Sequence, residues 1–170
     1  MVEIRDETEN DYPVIRELNE RAFGGAAEGK LVDMLRAAKK VVVSLVAVHQ
    51  NRVVGHILFS PVTVGGAPQN LRALGLAPMS VLPEFQNRGI GSKLVREGLE
   101  ACKRAGYDVV VVLGHTKYYP RFGFLKAKDY GLDSEYNAVD SFMVLELQKG
   151  VLQVISGLVK YSPEFHDAEC

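Results

Sequence analysis

The feature that most constrains how this chain folds is a strand–loop–helix–strand succession spanning residues 71–113. An apolar run of strand-like composition covers residues 71–82 and stops at Pro83. Helical periodicity then covers residues 88–105, and the continuous apolar run "DVVVVL" starts at Asp108. A strand that is apolar throughout and follows a crossover helix is typical of a parallel pair buried on both faces. The succession therefore predicts an α/β chain whose sheet is mixed.

The remaining segments predict helices before this succession and strands on both sides of it. Apolar residues recur at helical spacing over residues 10–23 and 30–40, with the break "GGAAEG" between the two segments. Three β-patterned runs predict an antiparallel meander that turns first at Gln50-Asn51, because Asn tolerates a positive φ. The other predicted elements are strands over residues 2–5, 41–49, 53–64, 124–127 and 142–147, a short helical segment in "TKYYPRFG", and an edge strand beyond Gly150.

Composition defines the class of protein and excludes several partners. A chain of 170 residues buries about 70% of its unfolded surface, so we expect a single domain over residues 1–170. The formal net charge of −1 gives no general attraction to nucleic acid or to an anionic membrane, so neither is expected as a partner. Cys102 and Cys170 fit no metal-binding spacing, and the acidic start lacks the apolar segment of a signal peptide. We therefore expect a reduced, cytoplasmic protein without a metal.

Pro78 interrupts the third β-patterned run. Proline has no N–H to donate to a strand ladder, so its position predicts a bulge or a local break in pairing. A break next to the start of a helix leaves strand groups available for a ligand.

Two glycines, Gly89 and Gly91, stand where the helix over residues 88–105 begins. The free N–H groups of a first helical turn and the helix dipole together form an anion site, and a residue without Cβ lets a phosphate approach the backbone. Arg88 and Lys93 add positive charge beside them. The glycine loop (residues 86–92) therefore predicts a phosphate site. The alternative is a glycine pair that permits close packing of helix on strand.

Two nucleotide-binding motifs are incomplete in this chain because each lacks a required residue. A dinucleotide fingerprint requires a third glycine where this chain has Leu94, and an acidic residue at the end of the next strand, where there is none. The stretch "GGAAEGKL" matches a P-loop until its last position, where Leu31 replaces the Ser or Thr that binds magnesium. Both kinds of site are excluded.

The wider segment "MSVLPEFQNRGIGSKLV" resembles the acetyl-CoA-binding motif of the GNAT superfamily of N-acetyltransferases. Gln86, Gly89 and Gly91 match the Gln/Arg-x-x-Gly-x-Gly/Ala part of that motif. The resemblance extends to "IRDETENDYPVIRELNERAF", "RVVGHILF" and "YYPRFGF", in the family's order over roughly residues 2–147. The stretches "VVGHILFSPV" and "VVVVLGHTKYYPRFGF" resemble the YhbS-like branch of bacterial acetyltransferases.

The resemblance implies a central mixed and splayed β-sheet flanked by helices, with acetyl-CoA as cosubstrate between two parting parallel strands. It implies that backbone groups of one strand pair with the pantetheine arm and that the glycine loop holds the pyrophosphate. The cofactor-binding residues implied in this way are Met79, Ser80, Val81, Gln86, Asn87, Arg88, Gly89, Ile90, Gly91 and Ser92.

The implied activity is acetyl transfer to an amine of a small molecule or peptide. The alternative is a non-catalytic acyl-CoA-binding sensor or interaction module, since the same glycine loop would bind the cofactor in either kind of protein. The sequence does not name the amine acceptor, and it leaves a homodimer open as an assembly.

Tyr119 stands four residues before Gly123 and matches the family tyrosine that acts as general acid toward the CoA thiolate. The alternative is a tyrosine that only packs a short helix on the sheet, which is what we expect of its neighbour Tyr118. Many members carry an Asn-x-x-Ala stretch ahead of this tyrosine, whereas this chain has "GHTK", so no asparagine contact is implied here.

The base that takes the proton of the amine is less evident from the sequence. His115, at the end of a buried strand and close to Tyr119, is the favoured candidate, because an imidazole exchanges protons near neutral pH and could act through water. His56 in "VVGHILF" is the second candidate, and a hydrogen-bonded packing role is the alternative for both. Glu84 is expected to be a surface or capping carboxylate.

Acceptor recognition is expected in the irregular segments, which are the "FGGAAEGK" loop with the helix after it and residues 129–137. Carboxylates there could attract a cationic amine, although loop carboxylates are usually only solvated. They are Glu28, Asp129, Asp133 and Glu135.

Overall fold

A computed structural model describes residues 1–170, and its mixed α/β architecture confirms the predicted fold class. A mostly antiparallel mixed sheet of nine strands is flanked by helices. The strands are β1 (Glu3–Asp6), β2 (Val43–His49), β3 (Arg52–Val64), β4 (Ala73–Val81), β5 (Val109–Leu113), β6 (Leu125–Lys126), β7 (Leu132–Ser134), β8 (Phe142–Glu146) and β9 (Gly157–Tyr161). The α-helices are α1 (Tyr12–Phe23), α2 (Ala27–Ala37), α3 (Ile90–Arg104) and α4 (Glu164–Asp167). None of these helices combines the length and the apolar character needed to cross a membrane.

The chain divides into two compact units, each described by itself. The first unit comprises Met1–Ser60, Ala77–Ala101 and Pro163–Cys170. The second comprises Pro61–Leu76 and Cys102–Ser162, so that β3, β4 and α3 contribute to both units. The single domain expected over residues 1–170 stays a prediction.

In the first unit, β1, β2 and β3 form an antiparallel ladder in chain order. The hairpin between β2 and β3 turns at Gln50 and Asn51, which have φ values of 50° and 63°. Two consecutive positive φ values give a turn whose twist matches that of the flanking strands. The predicted hairpin and its turn residues are confirmed.

Helices α1 and α2 pack against each other in the same unit. Pro13 lies in the first turn of α1, where its missing N–H costs nothing, and Gly24 ends the helix with a φ of 74°. Helix α2 begins at Ala27, three residues before its predicted start, and a Cβ on Gly29 would lie 3.2 Å from the Arg16 backbone oxygen of α1. The glycine at position 29 therefore serves the close approach of two helices.

Helix α3 lies directly on β3 in the first unit. A Cβ added to Gly98 would lie 2.5 Å from Cε1 of Phe59, and one added to Gly55 would lie 3.0 Å from Cδ1 of Leu94. The apolar face of α3 is buried, whereas Ala105 is exposed beyond the end of the helix. Gly106 follows with a φ of 85°, the left-handed conformation that commonly ends a helix.

In the second unit, β4 and β5 are parallel, as the continuous apolar run of β5 predicted. Their ladder joins only Ala73 to Val109, Leu74 to Val110 and Gly75 to Val111, although β4 continues to Val81. Pairing therefore stops three residues before Pro78, which agrees with the predicted break. On its other side β5 pairs with β8, which also pairs with β6.

The last strand corrects one prediction. Strand β9 was expected at an edge of the sheet, but it pairs antiparallel with the end of β3 and parallel with β7. Strand β7 itself lies in residues 129–137, which were expected to be irregular. Both pairings join segments far apart in sequence, and no local pattern could indicate them.

Candidate functional site

The glycine loop takes its shape from two left-handed residues. After the 3-10 turn Pro83–Phe85, Asn87 has a φ of 62° and Gly89 a φ of 82°, and α3 then begins at Ile90. The Gln86 side-chain amide donates to the Val81 backbone oxygen at 3.0 Å. This bond fastens the loop to the end of β4, so Gln86 shapes the site from within.

The backbone of this loop suits an anion. The N–H of Lys93 donates to the Gly89 oxygen at 3.1 Å, which closes the first turn of α3. The positive end of the helix dipole lies at this turn and attracts negative charge. The start of α3 therefore favours a bound anion.

Gly89 is explained by backbone conformation. An added Cβ would have no heavy atom within 4 Å, so the alternative of close helix–strand packing is wrong at this position. Its φ of 82° is the part of backbone space that residues with a Cβ rarely occupy. Glycine is required here because it directs the loop into α3.

A cleft of about 330 Å³ opens beside the glycine loop in the first unit. The Arg88 guanidinium lies 5.1 Å from the centre of the Phe85 ring, and His49 lies on the same ring at 5.4 Å. Lys93 Nζ donates to the Val2 backbone oxygen at 2.7 Å, so its charge is held toward the first residues of the chain. The walls of the cleft are thus cationic and aromatic.

The predicted cofactor-binding residues differ in exposure. Ser80 is buried on β4, and its hydroxyl has no hydrogen-bond partner. The Val81 carbonyl already accepts one hydrogen bond, from Gln86. The exposed members are Gln86, Asn87, Arg88 and Gly89, the half-buried ones are Met79, Gly91 and Ser92, and Ile90 and Val81 are buried with Ser80. The segment at residues 86–89 is therefore open to a ligand.

Tyr119 begins a 3-10 helix in the second unit and is 7% exposed. Its ring lies on the backbone of Gly114, where a Cβ would come within 2.7 Å of Cδ2, and edge-on to Phe124 at 5.7 Å. Burial, with a smaller contribution from Tyr118, raises the pKa of Tyr119 to about 12. The phenol therefore keeps its proton at every physiological pH.

The two candidate histidines lie in opposite environments. His115 is exposed after the end of β5, and its backbone oxygen accepts the N–H of Tyr118 at 3.1 Å. His56 is fully buried, and burial together with the charge of Arg36 lowers its pKa to about 3. A sealed, neutral imidazole cannot take a proton from a substrate at neutral pH, so the hypothesis of His56 as base is wrong.

His56 belongs to a buried hydrogen-bond chain that the sequence did not reveal. The Ser44 hydroxyl donates to Glu7 Oε1 at 2.5 Å and lies 2.9 Å from His56 Nε2. Because the Ser44 hydroxyl already donates its one proton to Glu7, it can only accept from His56, so Nε2 of His56 carries the proton and donates to Ser44. Arg36 donates to both oxygens of the Glu7 carboxylate, from Nη2 to Oε1 at 2.8 Å and from Nε to Oε2 at 3.2 Å. The histidine thus has the packing role that was its alternative.

A second group missed from the sequence surrounds Tyr161. This residue is buried at the end of β9, and its backbone N–H donates to Glu135 Oε1 at 2.8 Å. Burial raises the pKa of its phenol, and smaller contributions come from Tyr136, Glu135 and Tyr119. The segment was overlooked because β9 was expected at an edge, although the alternation in "GLVKY" marks a strand with a buried face.

Comparison with known proteins identifies the family. The model of the acetyltransferase (GNAT) domain matches residues 3–127. The chain belongs to the GNAT family. The sequence is also 37% identical over 165 residues to the uncharacterized N-acetyltransferase YhbS of Escherichia coli K12. The alignment covers 96% of this chain and 98% of YhbS. The predicted family and its YhbS-like branch are confirmed.

Solved structures agree with the GNAT assignment. The crystal structure of YhbS from Escherichia coli in complex with CoA has a TM-score of 0.92 and 36% identity, covering 97% of this chain and 92% of that one. A GNAT family acetyltransferase from Brucella melitensis in complex with acetyl-CoA has a TM-score of 0.81 and 39% identity, covering 97% and 98%. In the GNAT chain itself, no group of three or more His, Cys, Asp or Glu side chains is arranged to hold a metal ion.

Proposed function

We propose that this protein transfers the acetyl group of acetyl-CoA to an amine of a small molecule or peptide. The observation that carries the proposal is the glycine loop at the start of α3, with its two left-handed residues and its exposed backbone. Family membership supports it, as do the two relatives whose structures are complexes with CoA or acetyl-CoA.

In this proposal the glycine loop binds the pyrophosphate through backbone N–H groups, and residues 79–81 of β4 pair with the pantetheine arm. The chain has a net charge of only −1, so a bound anion depends on local donors. The exposed loop supplies those donors, and Arg88 adds a charge at its edge. The residues present therefore fit a phosphate-bearing cosubstrate.

Tyr119 is proposed to act on the leaving thiolate as a hydrogen-bond donor. A free thiol has a pKa of about 8.5, whereas that of Tyr119 is about 12, so moving the proton fully to the thiolate would cost about 5 kcal/mol. Donating a hydrogen bond without losing the proton has no such cost and still stabilises the developing charge. The raised pKa of Tyr119 therefore favours a hydrogen-bond donor that keeps its proton over the general acid that the family resemblance implied.

For the proton of the amine, His115 remains the candidate carried over from the sequence. Its side chain is exposed and could pass a proton to solvent through water. The amine must lose a proton before it attacks, because free alkyl amines are mostly protonated at pH 7.

Two measurements on the wild-type protein test the proposal. Calorimetry should detect acetyl-CoA binding, and thiol release above the hydrolysis background should appear with at least one member of a panel of polyamines, amino acids, aminoglycosides and lysine-containing peptides. Binding without thiol release for the whole panel would favour the non-catalytic acyl-CoA-binding module. Absence of acetyl-CoA binding would overturn both functions.

A further inference from the structure

A carboxylate lies beside two buried tyrosine rings and one half-buried tyrosine ring in the second unit. The tyrosine cluster consists of Tyr119 at the start of its 3-10 helix, Tyr136 after β7, Tyr161 at the end of β9, and Glu135. The ring centres of Tyr136 and Tyr161 are 5.6 Å apart. The charge of Glu135 and the phenol of Tyr119 both raise the pKa of Tyr161, so both lie within electrostatic range of one phenol.

Glu135 is held in place in a way that a solvated loop carboxylate is not. The β7–β9 ladder ends where Ser134 faces Val159, and the N–H of Tyr161 then donates to Glu135 Oε1 at 2.8 Å. The N–H of Tyr136 donates to the Ser134 hydroxyl at 3.0 Å, which fixes the turn that carries the carboxylate. Glu135 is half-buried, so it is both positioned and accessible.

The tyrosine cluster lies where β4 and β5 cease to pair. A Cβ on Gly75, the last residue of β4 in that ladder, would lie 2.7 Å from Cε2 of Tyr161. Further along β5, the ring of Tyr119 lies on Gly114, directly after the strand. Both rings thus border the point at which the parallel strands part.

The chemistry of acyl transfer links these two rings to a base. In the tetrahedral intermediate the amine nitrogen and the thioester sulfur are bonded to the same carbon, so the groups that serve them must lie close together. Tyr119 is proposed above as the donor to sulfur. A base for the nitrogen is therefore expected among the side chains near Tyr119, and Glu135 is the carboxylate of the tyrosine cluster.

We propose that Glu135, in place of His115, is the catalytic base, and that the acceptor is a primary alkyl amine bound as its ammonium ion. This inference rests on the proposed function. A carboxylate beside tyrosine rings attracts a cation through its charge and through the faces of the rings. A polyamine or an aminoalkyl side chain has the required chemistry.

The step balances in atoms and charge. The ammonium ion gives one proton to Glu135, and the neutral amine attacks the thioester carbonyl carbon of acetyl-CoA. The carbon–sulfur bond breaks as the amide forms, and the thiolate takes the second proton of the nitrogen while Tyr119 donates a hydrogen bond to it. Glu135 then releases its proton to solvent, which restores the carboxylate.

Glu135→Gln is the variant that separates a base from a structural acceptor. Glutamine keeps an oxygen for the N–H of Tyr161 but cannot take a proton. At pH 7 we expect kcat/KM to fall by about 10²- to 10⁴-fold. The loss should shrink as the pH rises toward the pKa of the amine, because an increasing fraction of the substrate then arrives already neutral. Acetyl-CoA affinity by calorimetry should not change.

Three titratable groups around Glu135 bear on this pH series, and they are Tyr161 of β9, Tyr136 in the same turn, and Tyr119. Two charged residues, Asp133 of β7 and Lys160 of β9, are exposed neighbours along the strands. The matched control is Glu146→Gln, since Glu146 also accepts a backbone N–H, from Leu152 at 3.3 Å, in the same unit. That variant should retain wild-type kinetics. The probe is whichever of spermidine, cadaverine or lysine methyl ester the wild type acetylates fastest.

Each remaining outcome overturns the inference in a recognisable way. A loss in Glu135→Gln that is the same at every pH assigns the residue a structural role. Undiminished activity removes it from the reaction, and a pH-dependent loss in His115→Gln alone assigns the base to His115. If the wild type acetylates none of the three probes, the alkyl amine class is wrong, whereas thiol release with another member of the panel leaves the proposed function standing.

Discussion

Tyr119 illustrates how burial determines what a single side chain can do. Its ring lies against Gly114 and Phe124, and its pKa of about 12 keeps the phenol protonated. The same burial that makes it a poor proton source makes it a permanent donor with a fixed position. Glu135 contrasts with it, because that carboxylate is only half-buried.

Tyr119→Phe should lower turnover by about 10- to 100-fold, which is the lower part of the range for a proton donor because a thiolate is a good leaving group. Phenylalanine preserves the ring packing and removes only the hydroxyl, so acetyl-CoA affinity should remain as in the wild type. The loss should not vary with pH below about 10, since the phenol stays protonated over that range. Steady-state kinetics over a pH series measures it.

Tyr118→Phe is the internal control, because Tyr118 packs edge-on to Tyr119 at 5.1 Å and is expected to contribute only packing. Its turnover should equal that of the wild type. Full activity in Tyr119→Phe would leave stabilisation of the thiolate to water.

At the scale of elements, the junction between β4 and α3 is specified by backbone conformation. Asn87 and Gly89 take positive φ values, and the Gln86 amide holds the Val81 carbonyl. These features direct the chain from the strand into the first turn of the helix. The shape of the anion site is therefore present before any ligand binds.

Gly89→Ala should destabilise the fold by about 1–2 kcal/mol, because alanine is strained in the left-handed region. If the loop relaxes to relieve that strain, binding must return the loop to its strained conformation. Acetyl-CoA affinity should then fall by up to about tenfold. Chemical denaturation and calorimetry measure the two effects. Gly25→Ala is the control, because its added Cβ also meets no atom within 4 Å and its φ is not positive. Equal affinities in the two variants would contradict the role given to the loop.

Local sequence patterns predicted the elements that depend on residues close together in the chain. The apolar run of β5 predicted its parallel pairing, and Gln50 and Asn51 predicted their turn. Strand β9 could not be placed in this way, since Tyr161 faces Val62 across about a hundred residues of chain. Glu135 was recognised as a carboxylate, but its fixed position depends on Tyr161 and therefore on that same distant pairing.

At the scale of the whole molecule, the buried chain through His56 links stability to pH. His56 lies on β3, Ser44 on β2 and Glu7 after β1, while Arg36 of α2 holds the same carboxylate. The unfolded chain protonates this histidine below about pH 6.5, whereas the folded chain keeps it neutral down to about pH 3. Unfolding therefore takes up a proton in this window, and stability falls as the pH falls through it.

From pH 7.5 to pH 5, His56 alone should remove about 2 kcal/mol from the free energy of unfolding. His56→Gln can still donate to Ser44 but has no proton to gain, so its stability should depend less on pH by that amount. Denaturant titrations at several pH values measure the difference. His115→Gln, at an exposed position, should keep the wild-type dependence, and an unaltered slope in His56→Gln would mean that the buried imidazole is not neutral.

The interior place of β9 has a consequence for the order in which the protein is made. Residues 157–161 leave the ribosome after β3 and β7, and they pair with both of these strands. Until then, the nascent chain carries two unsatisfied strand edges, which are the kind of surface that recruits other chains. Tyr161, whose N–H holds Glu135 in position, is made as part of the same strand. The pairing that covers these strand edges and the hydrogen bond that fixes the proposed base therefore form only after β9 has been made.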